Sequence, residues 1–258
     1  MLILLSPAKT LRPSLPPAGP SLPVLSEPDA TAQAKQIMEA LSKWSREELA
    51  VKMSLSESLT SKVHEWHQKW TLDSPHAAGL TFHGDAFKSL DLSSLSAPFM
   101  AEAQRRVRIL HAVYGLLRPW DAYSPVRLEM GQSWSPDPAF GSMHSYWKDV
   151  LPSLVHTHMK AHGHGHILNL ASAEYSQTAL RGMAKEHIIT CQFLEERNGN
   201  LRSISAFAKA ARGAMARFVL LEKIRNKERL QQFQGLGYAF NAEKSEKNLL
   251  VFTRTSPP

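Results

Sequence analysis

The chain opens with Met1-Leu-Ile-Leu-Leu-Ser-Pro-Ala-Lys-Thr10, in which five apolar residues run into a polar loop. A short apolar run that ends at turn-forming residues is typical of a strand buried in the centre of a sheet. We therefore predict a buried strand over Met1–Leu5, with Ser6 and Lys9 at its carboxyl end. In open α/β sheets, ligand sites collect outside the carboxyl ends of the strands. This segment thus predicts both the core of the fold and the position of a site.

Further strands and helices are predicted downstream of this segment. Apolar runs predict strands, and Asn198-Gly199 is a strong hairpin sequence. The strands predicted in this way are His166–Ala171, His187–Glu195, the return strand Asn200–Ser205, and a final hairpin of Gly237–Asn241 with Leu249–Arg254. Strands mixed with helical segments, without an internal repeat, favour a mixed α/β fold. We expect a single domain over residues 1–258, with a mixed sheet surrounded by helices.

Helical patterning predicts further elements in the first half. One helix is expected over Asp29–Leu41, and a pair of helices around a short turn over residues 45–66, where Ser45 and Glu48 form a capping-box pattern. Apolar residues at 103, 107, 110, 114 and 117 predict an amphipathic helix over Ala101–Leu117. Six prolines in residues 12–28 predict an extended surface arm.

The positive charge is concentrated in one segment. The 258 residues carry a net charge of +7, and residues 197–229 hold nine basic and two acidic residues, which is also +7. The helix expected there places Phe207, Ala211, Ala214, Phe218 and Leu221 on one face, Lys209 and Arg212 on the opposite face, and Arg217 to the side. A localised basic stripe is typical of a protein that binds a polyanion. The alternative is a solvated helix face.

Several classes of protein are excluded or disfavoured by the sequence. A single cysteine, Cys191, rules out an internal disulfide framework, and we expect it to be a core thiol. Neither a phosphate-binding P-loop nor a dinucleotide-binding glycine motif occurs. The sequence contains no apolar segment of signal-peptide or membrane-spanning length, so we expect a cytoplasmic protein that does not engage membranes.

Histidines form a cluster that suggests metal binding only weakly. Imidazole binds several transition metals, and in an extended segment His162, His164 and His166 would share one face. No carboxylate or thiol lies nearby to complete a site, so we expect neither a metal nor another cofactor. His64 and His67 are interpreted as two surface histidines.

Polar residues that follow strands or lie in glycine turns form a candidate pocket. They are Lys9, Asp85, Arg127, Glu129, Asn169 and Glu174. In such a pocket Lys9 and Arg127 would receive an anion, and Glu129 or Asp85 would act on protons. The alternative is that these groups form ion pairs and turn caps that hold the sheet edges.

A set of motifs in the same order along nearly the whole chain resembles the YaaA peroxide-stress family. The motifs are Ser6-Pro-Ala-Lys-Thr-Leu11, Tyr114-Gly-Leu-Leu-Arg-Pro119, Arg127-Leu-Glu-Met-Gly131, Asn169-Leu-Ala-Ser172 and Ala208-Lys-Ala-Ala-Arg-Gly213. The resemblance implies a bacterial, cytoplasmic protein that limits iron-dependent oxidative damage and binds duplex DNA through a basic cleft. It also implies a helix-hairpin-helix-like element, whose counterpart here is the predicted helix pair of residues 45–66.

Two functions are therefore expected. The first is DNA binding that is largely independent of sequence, without an obligate protein partner and without enzymatic activity. Its candidate phosphate contacts are Lys9, Lys52, Arg127, Lys209, Arg212 and Arg217. The alternative is an enzyme that acts on an anionic or nucleotide-like substrate in the strand-end pocket.

Overall fold

The computed structural model describes residues 1–12, 23–73 and 75–255. The strands are β1 (Leu2–Leu5), β2 (His76–Ala77), β3 (Val107–His111), β4 (Gly115–Leu117), β5 (Ala122–Tyr123), β6 (Ile167–Asn169), β7 (Ile188–Arg197), β8 (Asn200–Arg202), β9 (Ala239–Phe240) and β10 (Leu249–Thr255). The helices are α1 (Thr31–Leu41), α2 (Arg46–Met53), α3 (Glu57–Gln68), α4 (Ala78–Thr81), α5 (Asp85–Leu90), α6 (Ala97–Arg106), α7 (Met143–Trp147), α8 (Val150–Ala161), α9 (Ala173–Ala179) and α10 (Ser205–Leu221). Of the predicted proline-rich arm, residues 13–22 lie outside the described residues.

The main sheet is mixed and eight-stranded, which confirms the predicted α/β class. Its order is β4-β3-β1-β6-β7-β10-β9, and β8 pairs with β7. Five neighbouring strands, β3, β1, β6, β7 and β10, run parallel to one another. Strands β4, β8 and β9 pair antiparallel with their neighbours. A separate two-stranded sheet is formed by β2 and β5.

Strand β1 has the central position predicted from its sequence. It lies between β3 and β6, and its four residues are at most 1% exposed. Because side chains alternate along a strand, Leu2 and Leu4 pack into the core on one face of the sheet, and Ile3 and Leu5 pack into the core on the other. The chain therefore leaves β1 at Ser6 from the middle of the sheet.

The predicted helix over Ala101–Leu117 is wrong in its second half. Helix α6 ends at Arg106 and strand β3 begins at Val107, and all five residues of β3 are buried. Because β3 is covered on both faces, its apolar residues Val107, Ile109 and Leu110 do not alternate strictly with polar ones, and Val107 and Leu110 also match a helical spacing. Arg118 follows strand β4, and its side chain donates a hydrogen bond of 2.8 Å to Asp121.

Helix α10 occurs where the sequence predicts it, but its buried face is different from the predicted one. The fully buried residues include Ala211, Met215 and Val219, whereas Leu221, assigned to the core stripe, is 36% exposed. The reason is that α10 packs against α5 as well as the sheet. At their contact, a Cβ atom on Gly213 would lie 1.8 Å from the carbonyl oxygen of Ala86.

The predicted helix pair is present as α2 and α3. The Ser45 hydroxyl accepts a hydrogen bond of 3.2 Å from the Glu48 amide, and the Glu48 carboxylate accepts one of 3.0 Å from the Ser45 amide, so the capping box is confirmed. The turn has no glycine, and Ser54 takes the left-handed conformation with φ +51°. A role for this pair as a phosphate-binding hairpin stays a prediction.

None of the helices in the described part of the chain combines the length and the apolar character that a membrane crossing requires.

Candidate functional site

A cleft of about 330 Å³ opens at the carboxyl ends of β1 and β6. The start of α5 forms part of its wall, and α10 forms another part. Its charged lining residues are Lys9, Asp85, Lys88, Arg127, Glu129, Glu174, Lys209 and Arg212. The structure thus brings together five of the six predicted pocket residues and two predicted phosphate contacts from the basic helix.

Glu129 forms ion pairs with Lys9 and Arg127, the two cations that the sequence predicts would receive an anion. Its carboxylate lies 2.8 Å from Lys9 Nζ and accepts a hydrogen bond of 3.1 Å from Arg127 Nη2. Burial alone would raise the pKa of Glu129, but hydrogen bonds from Lys9 and Arg127, together with their charges, lower it below its usual value. Glu129 is therefore ionised near neutral pH, and part of the charge of Lys9 and Arg127 is already neutralised.

Two residues at the end of β6 complete this side of the cleft. The hydroxyl of Ser6 accepts a hydrogen bond of 2.8 Å from the Ser172 amide, which ties the end of β1 to the first turn after β6. One carboxylate oxygen of Glu174 accepts a hydrogen bond of 3.0 Å from the Gly131 amide, which ties α9 to the loop that carries Glu129. The floor between these polar groups includes Leu5 and Leu170.

Asp85 and Asn169 occupy different positions relative to the cleft. Asp85 is the first residue of α5 and lines the cleft wall. Asn169 is buried outside the lining, and its side-chain oxygen accepts a hydrogen bond of 3.1 Å from the Ala171 amide. The structure therefore supports the alternative interpretation for Asn169, which caps the turn after β6.

The wall formed by α10 contributes Lys209 and Arg212. Lys209 is exposed and Arg212 is half-buried, and neither makes a hydrogen bond or ion pair within residues 1–12, 23–73 and 75–255. Removal from water lowers the pKa of the Arg212 guanidinium from its usual value. These two cations are therefore not neutralised by the protein, in contrast to Lys9 and Arg127.

The other two predicted phosphate contacts lie away from the cleft lining. Lys52 pairs with Glu48 at 3.0 Å and its Nζ lies 4.4 Å from the centre of the Trp44 ring. Arg217 donates hydrogen bonds of 2.9 Å to the carbonyl oxygens of Leu90 and Asp91, and this joins α10 to the end of α5. Within the basic stripe predicted from the sequence, Lys209 and Arg212 therefore have no partner in the described residues, whereas Arg217 is held by hydrogen bonds to α5 and the residue after it.

The three histidines do not form the predicted set on one face. The rings of His162 and His164 are neighbours, with centroids 5.8 Å apart, but His164 is buried with a ring nitrogen 3.2 Å from the carbonyl oxygen of Arg105. His166 lies beside His187 instead, with ring centroids 6.3 Å apart. In the part of the chain that the structure describes, no three histidine, cysteine or acidic residues are grouped to hold a metal ion.

Cys191 is buried in the core, as predicted, and burial raises the pKa of its thiol.

The prediction that His67 is a surface residue is wrong. It is 2% exposed, and its Nε2 donates to the carbonyl oxygen of Arg127 at 3.2 Å, so α3 supports the loop that enters the cleft. Burial lowers its pKa to about 4.

The cleft lining also includes His83 and Lys88, which were not predicted from the sequence. Their proximity to Asp85, a predicted pocket residue, was the available indication.

Comparisons with known proteins agree on one family. The sequence model of the family described as "Peroxide stress protein YaaA" matches residues 1–244. A UPF0246 protein of Ruegeria sp. (strain TM1040) is 37% identical, with 98% of this chain and 100% of the relative covered. UPF0246 proteins of Marinomonas sp. (strain MWYL1) and Aromatoleum aromaticum are each 34% identical over 98% of this chain and cover 97% and 99% of those relatives.

Proposed function

Because the chain belongs to the peroxide stress protein YaaA family, we propose that it is a cytoplasmic protein of the peroxide response that binds duplex DNA. Binding is largely independent of sequence, because it is directed at phosphates rather than at base edges. By occupying DNA, the protein helps to limit iron-dependent oxidative damage. It needs no cofactor, membrane or obligate protein partner for this task.

The observation that supports this function is the pair of cations on α10. Lys209 and Arg212 have no ion-pair partner within the described residues, and they lie beside each other on one helix at the cleft. Lys9 and Lys52 can join them, because their ion pairs are partly exposed and such pairs contribute little to stability. Arg127 and Arg217 are held by the protein and are weaker candidates.

The test is duplex affinity as a function of salt concentration. Four to six phosphate contacts predict a slope of log K against log salt of about −4 to −5. A Lys209→Ala/Arg212→Ala double variant should weaken binding to all sequences alike and reduce the steepness of the slope by about 2.

The matched control removes the same charge elsewhere in the basic segment. Arg197 and Arg202 are exposed on the β7–β8 hairpin, away from the cleft lining. An Arg197→Ala/Arg202→Ala variant should change the affinity less than the α10 variant does. Equal losses would show that total charge, not the α10 pair, determines binding, and an affinity that does not respond to salt would contradict the proposal altogether.

A second function is favoured by the assembly of the strand-end residues. Five of six predicted pocket residues line one cleft, and they combine cations with carboxylates. Such a cleft suits an enzyme that acts on an anionic or nucleotide-like substrate. Glu129→Gln should then abolish the peroxide-protection phenotype while duplex affinity and folding are retained. Full protection by Glu129→Gln in cells would contradict the enzymatic function.

A further inference from the structure

We propose that the cleft receives a single nucleotide unit, with its phosphate against Arg212 and its base between the apolar floor and Glu174. The proposal deepens the functions above, because it names the ligand class of the same cleft and depends on DNA binding only for one of two sources of the nucleotide.

The phosphate position is set by Arg212. Its guanidinium is half-buried in the cleft wall and has no acceptor among the residues that the structure describes. Partial withdrawal of this charge from water is unfavourable, and a ligand oxyanion would be a favourable partner for it. A planar guanidinium also matches two phosphate oxygens at once. Lys209, three residues earlier on the same helix, adds a second cation at the open side.

The size and the floor of the cleft select one nucleotide rather than a duplex. Its volume of about 330 Å³ lies at the lower end of the range for small-molecule pockets, roughly 300–1,000 Å³. A stacked base pair cannot enter a space of this size, whereas an unpaired nucleotide can. Leu5, Phe87, Val126 and Leu128 are mostly buried, and the parts of them that line the cleft give a base apolar atoms to contact.

Carboxylates on the rim provide acceptors for the edge of a base. One oxygen of Glu174 is held by the Gly131 amide, and its other oxygen has no hydrogen-bond partner in the described part of the chain. Asp85, at the start of α5, likewise lines the cleft and has a side chain without a hydrogen-bond partner there. Amino and imino groups of bases are donors, and acidic side chains accept from them. An inorganic phosphate would leave these carboxylates unused.

Two sources could supply the same nucleotide chemistry. One is a free nucleoside monophosphate, and the other is a nucleotide rotated out of a DNA duplex bound across α10. A nucleotide that is unpaired in the duplex would enter more readily, because extrusion then breaks fewer contacts.

The experiment uses the full chain with two probes. The first probe is each of the four deoxynucleoside monophosphates, measured by isothermal titration calorimetry, with inorganic phosphate alongside. The second is a duplex with one 2-aminopurine opposite an abasic site, whose fluorescence rises when the base leaves the stack. The variants are Arg212→Met and Glu174→Gln; Glu243→Gln, an exposed position outside the cleft lining, is the matched control for loss of a carboxylate.

Each outcome supports or overturns the proposal. Binding of a monophosphate that Arg212→Met and Glu174→Gln each weaken about tenfold, with Glu243→Gln unchanged, supports a free nucleotide. A fluorescence rise on duplex binding that Glu174→Gln abolishes, without weakening duplex affinity, supports an extruded nucleotide. Duplex binding with neither response overturns the inference and leaves DNA binding intact. Monophosphate binding without duplex binding supports the inference and contradicts the DNA function. A response only to inorganic phosphate also overturns the inference.

Discussion

Two arginines at α10, one beyond its carboxyl end and one in its first half, are fully or partly withdrawn from water, but among the described residues only the first of them has partners. Beyond the carboxyl end of the helix, Arg106 is fully buried; it pairs with Glu102 at 3.2 Å and donates to the carbonyl oxygens of Met1 and Ile224. In the first half of the helix, Arg212 lines the cleft without a partner among the described residues. Burial lowers the pKa of both guanidinium groups, and Glu102 opposes this effect only at Arg106.

This difference indicates which arginine is structural. A buried cation whose donors are all used by the protein stabilises the fold, because removing it leaves buried acceptors unsatisfied. A cation with unused donors contributes little to folding and is available to a ligand. The two residues can therefore be told apart by one pair of substitutions.

The largest effect is expected from Arg106→Leu. The variant leaves the buried carbonyl oxygens of Met1 and Ile224 without this donor and removes one partner of Glu102, so unfolding free energy should fall by about 3 kcal/mol or more. The same change at Arg212 should leave stability within about 0.5 kcal/mol, or raise it, since a desolvated cation is removed. Urea denaturation of the two variants at pH 7.5 measures the difference. Equal destabilisation would contradict the distinction between them.

The strands could be predicted from the sequence more completely than the contacts of the charged side chains. The apolar runs of β1 and β6 identify strands, because burial on both faces leaves few polar residues. In β7 the buried residues alternate with more exposed ones, which is the pattern of a strand covered mainly on one face. The same reasoning failed at Val107, where a buried strand also matched a helical spacing. Periodicity reports burial, and it does not separate helix from strand when every face is covered.

The composition of the candidate site could be predicted, but its pairing could not. Lys9, Glu129 and Glu174 follow strands or turns, so topology alone brings them to one edge of the sheet. Nothing in the spacing shows that Glu129 pairs with both Lys9 and Arg127, since that depends on where a loop lies in space. The contact between α5 and α10 likewise depends on tertiary packing.

A second, smaller effect should come from Gly213→Ala at that contact. A Cβ atom there would meet the backbone of Ala86, which cannot move without shifting α5 or α10. Overpacking of this kind destabilises by about 1–3 kcal/mol, and it should also displace Arg212 and weaken duplex binding. Gly165→Ala is the control, because a Cβ atom on Gly165 meets no atom within 4 Å. Unchanged stability and binding in Gly213→Ala would show that this approach of the helices is not required.

The stability of the protein should fall at acidic pH because of His67, which supports the loop that carries Arg127. The folded-state pKa of His67 is lowered from 6.5 to about 4 by burial, so the unfolded chain takes up a proton first as the pH falls. The stability from neutral His67 is thus complete above pH 6.5 and is lost between pH 6.5 and about 4, by up to about 1.4 kcal/mol per pH unit.

Urea denaturation between pH 7.5 and 4.5 measures this dependence, and His67→Gln should make it shallower. Glutamine can still donate to the Arg127 carbonyl, which keeps the loop in place in the variant. If the slope is identical in the variant, His67 is not one of the groups responsible.

The smallest effect is expected at Arg217, which tests whether hydrogen bonding or position on α10 decides the role of a cation. Its guanidinium donates three hydrogen bonds of 2.9 Å to the end of α5 and the residues after it, at Leu90, Asp91 and Ser94. Because the side chain is partly exposed, Arg217→Met should cost about 1 kcal/mol of stability. Its duplex affinity should fall less than that of Lys209→Ala, although both changes remove one charge from the same helix. A larger loss of affinity in Arg217→Met, with stability unchanged, would mean that these hydrogen bonds are given up to phosphates and that unused donors do not identify the binding residues.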